Sequence, residues 1–226
     1  MRFTFEDLVA VMARLRGADG CPWDREQTHA TLAPYLLEEA HEVLEAIARG
    51  DEAALREELG DLLLQVVFHG QIAAEAGGFS AAEIVDGLTR KLIDRHPHVF
   101  GRASLGTPEE VLAQWHELKR REAPDRGPFD GVPESLPALA RAQKLIGRAM
   151  ANGMADQVPG EPLQAAAAVA ERLRHMMAAV DQETGGPEAF GDLLLAVAAL
   201  AQVAGVDAES SLRQACVRLL DRVRRV

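Results

Sequence analysis

The sequence predicts an all-α protein, and two observations support this fold class. Apolar residues recur at three- and four-residue spacings along most of the 226 residues, and no convincing run of alternating β-branched residues predicts a strand. Helix start signals also recur, since Ser80 is followed three residues later by Glu83, and Thr107 precedes Pro108 and two acids. A hydrophobic content of 48% is enough for one large core or two modest ones.

The periodicity predicts five helices in the first half of the chain and four in the second. The first starts in the acidic amphipathic N-terminus, and the third follows Gly50 and Asp51. The predicted helices lie near residues 4–16, 28–49, 52–76, 80–95, 108–122, 138–151, 162–182, 187–205 and 207–225. Pro and Gly are frequent between the fifth and sixth helices. We therefore expect a first domain at 1–123, a linker at 124–137 and a second domain at 138–226.

Composition limits the partners and the compartment. A formal net charge of −11 argues against binding of nucleic-acid polymers, because affinity for the phosphate backbone requires clustered Lys and Arg. The N-terminus lacks an apolar signal core, and the most apolar run, Leu193 to Val206, is too short to span a bilayer. Cys21 and Cys216 offer neither a disulfide framework nor a thiolate metal site. We therefore expect a cytoplasmic protein that binds no membrane.

Two acidic clusters recur in helical segments and predict a metal site. Glu39 and Glu42 share one helix face, as do Glu58 and Asp61. Like charges at this spacing repel each other, and a divalent cation would remove that repulsion. Mg²⁺ prefers carboxylate oxygens and keeps waters that leave room for substrate phosphates, with Mn²⁺ as a substitute, whereas Zn²⁺ prefers His or Cys. The alternative is a pair of solvated acidic faces.

Apolar residues beside both acidic clusters favour the metal site over a solvated face. We expect these residues to face the core, so that the acids border it. They are Leu36, Ala40, Val43 and Ile47 in the first segment, and Leu55, Leu59, Leu62, Leu63, Val66 and Val67 in the second.

The second half of the chain repeats segments of the first in the same order. Gly60–Leu64 recurs 131 residues later as Gly191–Leu195, and Lys91–Arg95 recurs more loosely 127 residues later as Arg218–Arg222. The shared order and near-equal offsets favour an internal duplication over chance matches of Leu and Ala.

The second copy lacks the acidic pairs. Ala189 stands opposite Glu58, and Arg174 follows Glu171 in the region that corresponds to the first cluster. Asp192 alone cannot hold a divalent cation. We therefore expect the second half to have a structural, dimerising or regulatory role.

Cations and an aromatic residue could contact a phosphate-bearing substrate. Lys91 and Arg95 share a helix face and could meet phosphate oxygens, although an ordinary surface helix would show the same pattern. Lys119 follows Trp115 by four residues, so Lys119 could contact phosphate while Trp115 stacks on a base. A Trp is more often part of a core, which is the alternative for this residue.

These features together closely resemble the MazG family of nucleoside triphosphate pyrophosphohydrolases over essentially the whole chain. Besides the acidic clusters, the resemblance rests on Gly20–Asp24, Gly60–Leu63 and Arg95–Phe100. The family pattern ExxE followed by ExxD is met by Glu39, Glu42, Glu58 and Asp61. The resemblance implies tandem MazG-like helical-bundle domains, the second degenerate, in a homodimer. It also implies Mg²⁺-dependent hydrolysis of nucleoside triphosphates to monophosphates and pyrophosphate, as nucleotide-pool house-cleaning.

Further roles follow for the acids next to the proposed ligands. Glu38 and Glu57 each lie four residues before a ligand, within helical reach of a metal-bound water, and Glu38 is the candidate general base. A solvated acid is the alternative for Glu38. His96 and His98 flank Pro97 and are expected to be structural, because neither completes a metal-ligand spacing.

Three other functions stay open at this point. Glu38 and His41 form the Glu-x-x-His unit of di-iron bundles, but the matching position on the other helix is Asp61 rather than a histidine. The loss of acids from the second half suggests a non-catalytic nucleotide sensor. A narrow dUTP hydrolase is the third alternative.

Overall fold

The computed structural model describes residues 2–102, 105–122, 125, 127–154, 158–181 and 187–225. All regular elements in these residues are α-helices, which confirms the all-α prediction. Backbone contacts divide the chain into two compact units, Met1–Lys119 and Arg120–Val226.

Seven helices begin in the first unit, and the five predicted ones agree with the structure to within about one residue. The helices are α1 (Phe5–Arg16), α2 (Pro22–Glu26), α3 (His29–Arg49), α4 (Glu52–Glu75), α5 (Ala81–Arg95), α6 (Pro97–Phe100) and α7 (Pro108–Glu122). The two short helices α2 and α6 were not predicted, because a single turn is too short to show periodicity. Each begins with a proline, whose fixed φ suits the first helical position.

Four helices form the second unit, and the predicted bounds differ from the structure mainly at their ends. They are α8 (Ala138–Ala151), α9 (Pro162–Asp181), α10 (Pro187–Val203) and α11 (Ala208–Val223). The prediction ran α10 on to 205, but Gly205 has a φ of 67° and lies in the left-handed region, outside the helix. The predicted end of α9 at 182 and linker residues 124 and 126 lie outside the described residues, whereas 127–137 form turns.

A tight turn makes α3 and α4 an antiparallel pair. Gly50 ends α3 in the left-handed region, with a φ of 66°, and the Asp51 carboxylate accepts hydrogen bonds from the backbone N–H groups of Ala53 and Ala54, both at 3.1 Å. Residues at equal separations from this turn therefore lie at the same level. Glu39 and Asp61 are such a pair, since each is about eleven residues from the turn.

A small core and one buried arginine hold α1, α2 and α4 together. The core contains Met12, Leu32, Val67 and Phe68. Arg16 of α1 donates to both carboxylate oxygens of Glu75 in α4, at 2.7 to 3.0 Å, and to the carbonyls of Asp24 and Gln27. Its side chain is 7% exposed, and its guanidinium lies 5.5 Å from the Phe68 ring centroid. The segment around α2 is thus fixed to α1 and α4.

The apolar faces beside the acids are only partly buried, which corrects the expectation that they face the core of the single chain. Val43 and Val67 are buried, whereas Leu36, Ile47 and Leu59 are 38%, 57% and 48% exposed. Leu63 and Val66 are exposed as well. A two-helix hairpin can bury only the sides that other helices cover, so an apolar strip of α3 and α4, formed by Leu36, Ile47, Leu59, Leu63 and Val66, stays exposed in the described chain.

A glycine allows α4 and α5 to touch. A Cβ placed on Gly70 would lie 3.0 Å from the backbone nitrogen of Ala81 and 3.1 Å from its Cα. Ala81 is the first residue of α5 and is buried. The two helices therefore meet backbone to backbone at this point.

The second unit has its own small core, formed by Ile146 of α8 with Ala198 and Ala199 of α10. The Gln143 side chain of α8 binds the Val206 carbonyl at 2.7 Å and the Ala208 N–H at 2.8 Å, which fixes the start of α11. No single described helix is long and apolar enough to cross a membrane; α10 and α11 meet that test only as a pair bent by 108°.

Candidate metal centre

Three carboxylates converge between α3 and α4. Glu39 of α3 and Glu58 and Asp61 of α4 each offer an oxygen, and these oxygens all lie within 4.8 Å of one another. All three side chains are partly buried. The convergence follows from the tight turn at Gly50 and Asp51, which sets the two predicted acidic pairs at the same level of the hairpin.

Glu42 completes the predicted set of four carboxylates. Its side chain is exposed and lies within hydrogen-bonding reach of Glu39 and Glu58. The structure therefore brings together all four residues that the sequence proposed as ligands. Their role as ligands stays a prediction.

Crowding of carboxylates raises two pKa values in this cluster. Burial is the largest cause of the raised pKa of Glu39, and the negative charges of Asp61 and Glu42 add to it. Burial is also the largest cause of the raised pKa of Glu58, and the charges of Glu42 and Glu57 come next. No cationic side chain contributes to either shift. The cluster is therefore electrostatically incomplete by itself.

The donor set fits a hard divalent cation. All the converging atoms are carboxylate oxygens, and no histidine or cysteine belongs to the group among the described residues. Oxygen-only sets suit Mg²⁺ and Mn²⁺, whereas zinc sites usually contain nitrogen or sulfur ligands. A bound cation would also oppose the repulsion that raises the pKa values of Glu39 and Glu58.

Glu38 and Glu57 lie at the edge of this cluster. Both side chains are exposed. The charge of Glu38 contributes to the raised pKa of Glu39, and that of Glu57 contributes to the raised pKa of Glu58. Glu38 therefore lies beside the carboxylates, and its role as the general base stays a prediction.

Three of the four predicted substrate-binding residues meet at one indole ring. The Arg95 guanidinium lies 5.5 Å from the Trp115 ring centroid, and the Lys119 ammonium lies 5.0 Å from it. Arg95 ends α5, while the other two belong to α7, so the group joins side chains of these two helices. Lys91 is exposed one turn before Arg95, on the same helix.

Other residues singled out in the sequence have structural surroundings. His96 Nδ1 lies 2.6 Å from the Leu92 carbonyl, and the His96 and His98 rings lie 5.6 Å apart. Trp23 packs edge-on against Tyr35 with ring centroids 6.2 Å apart. At Gly20 a Cβ would lie 2.0 Å from the Leu15 carbonyl oxygen, so this position in the Gly20–Asp24 segment requires glycine.

One pair of titratable residues was missed in the sequence. The Nδ1 atoms of His29 and His69 lie 2.7 Å apart, and the rings stack with centroids at 5.0 Å. Burial first, and then the charge of His29, lowers the pKa of His69. The two histidines are 40 residues apart in sequence. The one signal for this pair was that both lie about twenty residues from the turn between the antiparallel helices α3 and α4.

An antiparallel helix pair that gathers carboxylates at one level defines the class: an all-α protein with an acidic cluster that could hold a metal ion. Residues 27–100 match the family model of the MazG nucleotide pyrophosphohydrolase domain. The chain belongs to this family, as the resemblance in the sequence indicated. The matched segment contains all four carboxylates, together with Lys91 and Arg95.

Curated relatives cover nearly the whole chain. It is 44% identical over 228 residues to the nucleoside triphosphate pyrophosphohydrolase of Escherichia coli K12, a match that spans 97% of this chain and 85% of that protein. It is 38% identical over 224 residues to the nucleoside triphosphate pyrophosphohydrolase/pyrophosphatase MazG of Thermotoga maritima. This match spans 98% of this chain and 85% of that protein. A nucleoside triphosphate pyrophosphohydrolase of Mycobacterium tuberculosis is 46% identical over 158 residues, a match that spans 69% of this chain and 48% of that protein.

Proposed function

We propose that this protein hydrolyses nucleoside triphosphates to nucleoside monophosphates and pyrophosphate at the α3–α4 carboxylate cluster. The observation that carries the proposal is the convergence of Glu39, Glu58 and Asp61 within 4.8 Å, in the segment that matches the family model. The names of the curated relatives support the same activity, a hydrolysis of an acid anhydride. House-cleaning of the nucleotide pool is the role that fits it.

Mg²⁺ is the proposed cofactor, with Mn²⁺ as a substitute. Glu39, Glu42, Glu58 and Asp61 would hold it. When bound, the ion would supply positive charge that neutralises the negative charge developing as the anhydride bond breaks. The all-oxygen donor set and the raised pKa values of Glu39 and Glu58 support this choice.

The chain's own side chains supply the remaining functions. Water forms a bond to phosphorus while the anhydride bond between the α and β phosphates breaks, and pyrophosphate leaves. Glu38, exposed beside Glu39, is the proposed acceptor of the water's proton. Its charge lies at the edge of the cluster, where a water molecule can reach it.

The cations of α5 and α7 are proposed to bind the substrate. Arg95 offers a bidentate fork and Lys91 a point charge to phosphate oxygens. Arg95 and Lys119 both lie against the indole ring of Trp115, which supports a shared role for the three residues. In this proposal the indole of Trp115 stacks on the nucleobase, while the cations beside it meet phosphate oxygens.

We propose a homodimer whose interface includes the exposed apolar strip of α3 and α4. Leu36, Ile47, Leu59, Leu63 and Val66 are each at least 38% exposed in the single chain. Apolar surface of this kind next to a site is typical of an interface. A second copy would cover the strip and enclose the neighbouring carboxylates.

A catalytic first domain at 1–123 and a degenerate second domain at 138–226, joined by 124–137, remain our proposed organisation. The first domain would carry the activity alone. The net charge of −11 supports a small anionic substrate met by local cations rather than a nucleic-acid polymer. Two free cysteines, Cys21 and Cys216, support a reducing cytoplasm as the compartment.

Release of pyrophosphate and monophosphate tests this function directly. Ribo- and deoxynucleoside triphosphates, including dUTP, are supplied to the wild type and to Glu58→Ala, each with Mg²⁺ and with EDTA. We expect metal-dependent release of pyrophosphate that Glu58→Ala abolishes, and the ranking of substrates separates a broad enzyme from a dUTP hydrolase. Absence of turnover with every nucleotide, or full activity in Glu58→Ala, would overturn the proposal.

A further inference from the structure

The α3–α4 hairpin buries one polar side chain between its acidic cluster and its apolar core. Gln65 of α4 is 5% exposed, and among the described residues it is the one polar side chain that is buried. It follows Asp61 by four residues and Glu58 by seven, so it lies on the same face of α4 as these carboxylates. Phe68, one turn further along, belongs to the core together with Leu32. Gln65 therefore lies where the acidic level of the hairpin meets the apolar level.

The side-chain amide of Gln65 is unpaired. Its Oε1 atom is buried, and neither Oε1 nor Nε2 has a hydrogen-bond partner in the part of the chain that the structure describes. Gln71, six residues further along α4, differs in this respect, since its Nε2 donates to the Glu75 carboxylate at 2.9 Å. A buried amide without a hydrogen bond lowers the stability of the folded chain. A residue that breaks this rule without benefit to the fold is typical of a functional site.

The direction of helical side chains places this amide beside the proposed metal centre. Long side chains of an α-helix point back toward its N-terminus, so each one covers the turn before its own. The turn before Gln65 contains Asp61, about 6 Å away along the helix axis. Asp61 converges there with Glu39 and Glu58. The amide nitrogen of Gln65 is thus a hydrogen-bond donor next to a group that consists of acceptors.

The internal repeat supports a link between the amide and the acids. Asp192 occupies the repeat position of Asp61, and Ala196 occupies that of Gln65, 131 residues later. In this second copy the aspartate lies 3.8 Å from Arg172 instead of converging with other acids. The copy that lost the acidic pairs therefore also has no amide at this position.

We propose that Gln65 is a positioning residue of the metal centre, and that its Nε2 donates a hydrogen bond to the Asp61 carboxylate when the ion is bound. This inference rests on the proposed function, of which it uses only the metal centre. A donor on one carboxylate oxygen fixes the direction in which the other oxygen faces the ion. The two groups are not hydrogen-bonded in the structure, so the bond forms as the carboxylate turns toward the ion. An apolar side chain in place of Gln65 therefore stabilises the metal-free chain and weakens ion binding.

Gln65→Met tests the proposal, because methionine resembles glutamine in length and lacks the amide. Mn²⁺ is the probe, and electron paramagnetic resonance of the free ion measures its binding to the full chain. We expect the wild type to bind Mn²⁺ and Gln65→Met to bind it at least about tenfold more weakly. In EDTA, the midpoint of thermal unfolding should rise by about 3 °C in Gln65→Met, since the unpaired amide is gone.

Gln71→Met is the matched control, since Gln71 also belongs to α4 but pairs with Glu75. It should bind Mn²⁺ as the wild type does, and its thermal midpoint should not rise. Equal Mn²⁺ affinity in the wild type and Gln65→Met would overturn the proposal. A lower thermal midpoint in Gln65→Met would overturn it as well, because the amide would then serve the fold.

Two further measurements separate this inference from the proposed activity. Glu58→Ala should lose Mn²⁺ binding; a wild type that binds no Mn²⁺, or no more than Glu58→Ala does, would refute the metal centre and the role of Gln65 together. With Mg²⁺, Gln65→Met should need at least about tenfold more of the ion for half-maximal pyrophosphate release. It should regain most of the wild-type rate at saturation, because all four proposed ligands remain.

A rate loss in Gln65→Met that persists at saturating Mg²⁺ would assign the amide to the substrate and overturn the proposal. Absence of hydrolysis in the wild type would refute the proposed activity, whereas the Mn²⁺ comparison of wild type and Gln65→Met would still decide the role of Gln65.

Discussion

The two units handle their acidic residues differently. In the first unit, Glu39, Glu58 and Asp61 converge within 4.8 Å with no cation among the causes of the raised pKa values of Glu39 and Glu58. In the second unit, Asp192 occupies the repeat position of Asp61 and lies 3.8 Å from Arg172. The second unit thus pairs Asp192 with a cation from its own chain, whereas the first unit leaves its three converging acids available for an external cation.

The largest expected effect comes from the two aspartates that this comparison matches. Asp61→Asn should lower pyrophosphate release on the order of a thousandfold, because it removes charge from the proposed metal centre. Asp192→Asn, the matched change in the second unit, should leave the rate unchanged. Steady-state rates with Mg²⁺ measure both. Comparable losses in the two variants would show that the second unit takes part in catalysis.

A second comparison concerns the ion pairs that stabilise each unit. Arg16→Ala should lower the free energy of unfolding by about 2 kcal/mol, since it removes a buried guanidinium and its hydrogen bonds to the Asp24 and Gln27 carbonyls, which fix the segment around α2. Arg172→Ala breaks a half-exposed pair and should cost less than about 1 kcal/mol. Urea denaturation of both variants measures the difference. An equally small loss in Arg16→Ala would mean that the Arg16 contacts do not stabilise the first unit.

The helix caps of the two units should contribute equally to stability, unlike the acids at the repeat positions of Asp61 and Asp192. Asp51 caps α4, and Asp207 caps α11 by accepting from the Ser210 N–H at 2.8 Å. Asp51→Ala and Asp207→Ala should each cost about 1 kcal/mol, because each leaves a helix N–H without its side-chain partner. Thermal unfolding followed by circular dichroism measures the shifts. A much larger loss in one variant would show that the units differ in more than their acids.

The smallest expected effect is a pH dependence confined to the first unit. Burial and the charge of His29 lower the pKa of His69, so below its usual value of 6.5 the unfolded chain binds more protons than the folded one. The free energy of unfolding should therefore fall as the pH drops from about 7 to 5, and His69→Asn should reduce that fall. His175→Asn, an exposed histidine of α9, is the control. An equal change of slope in both variants would contradict the assignment.

Local signals made most of the fold predictable. Ser80 with Glu83, Thr107 before Pro108, and Asp51 after Gly50 each mark a helix start that the structure contains. The convergence of four carboxylates was predictable for the same reason, because helical spacing and one tight turn determine it.

Features that depend on packing between helices could not be predicted. The His29–His69 pair depends on how far α3 and α4 are shifted along each other, and the contact of Arg95 with Trp115 depends on where α7 lies relative to the end of α5. The exposure of Leu59 depends on which surfaces other helices cover. The ligand role of the carboxylates and the domain bounds stay predictions, since each needs a measurement on the protein itself.

The backbone contact at Gly70 fixes the start of α5. The contact is with Ala81, the first residue of the helix, and Arg95 lies fourteen residues further on, or about 21 Å along the axis. A tilt of α5 by only about 3° about this contact would move the Arg95 end of the helix by about 1 Å, given the rise of an α-helix. Gly70 is not among the proposed metal ligands or substrate-binding residues, yet its contact would set the direction of the cations that we propose to bind the substrate.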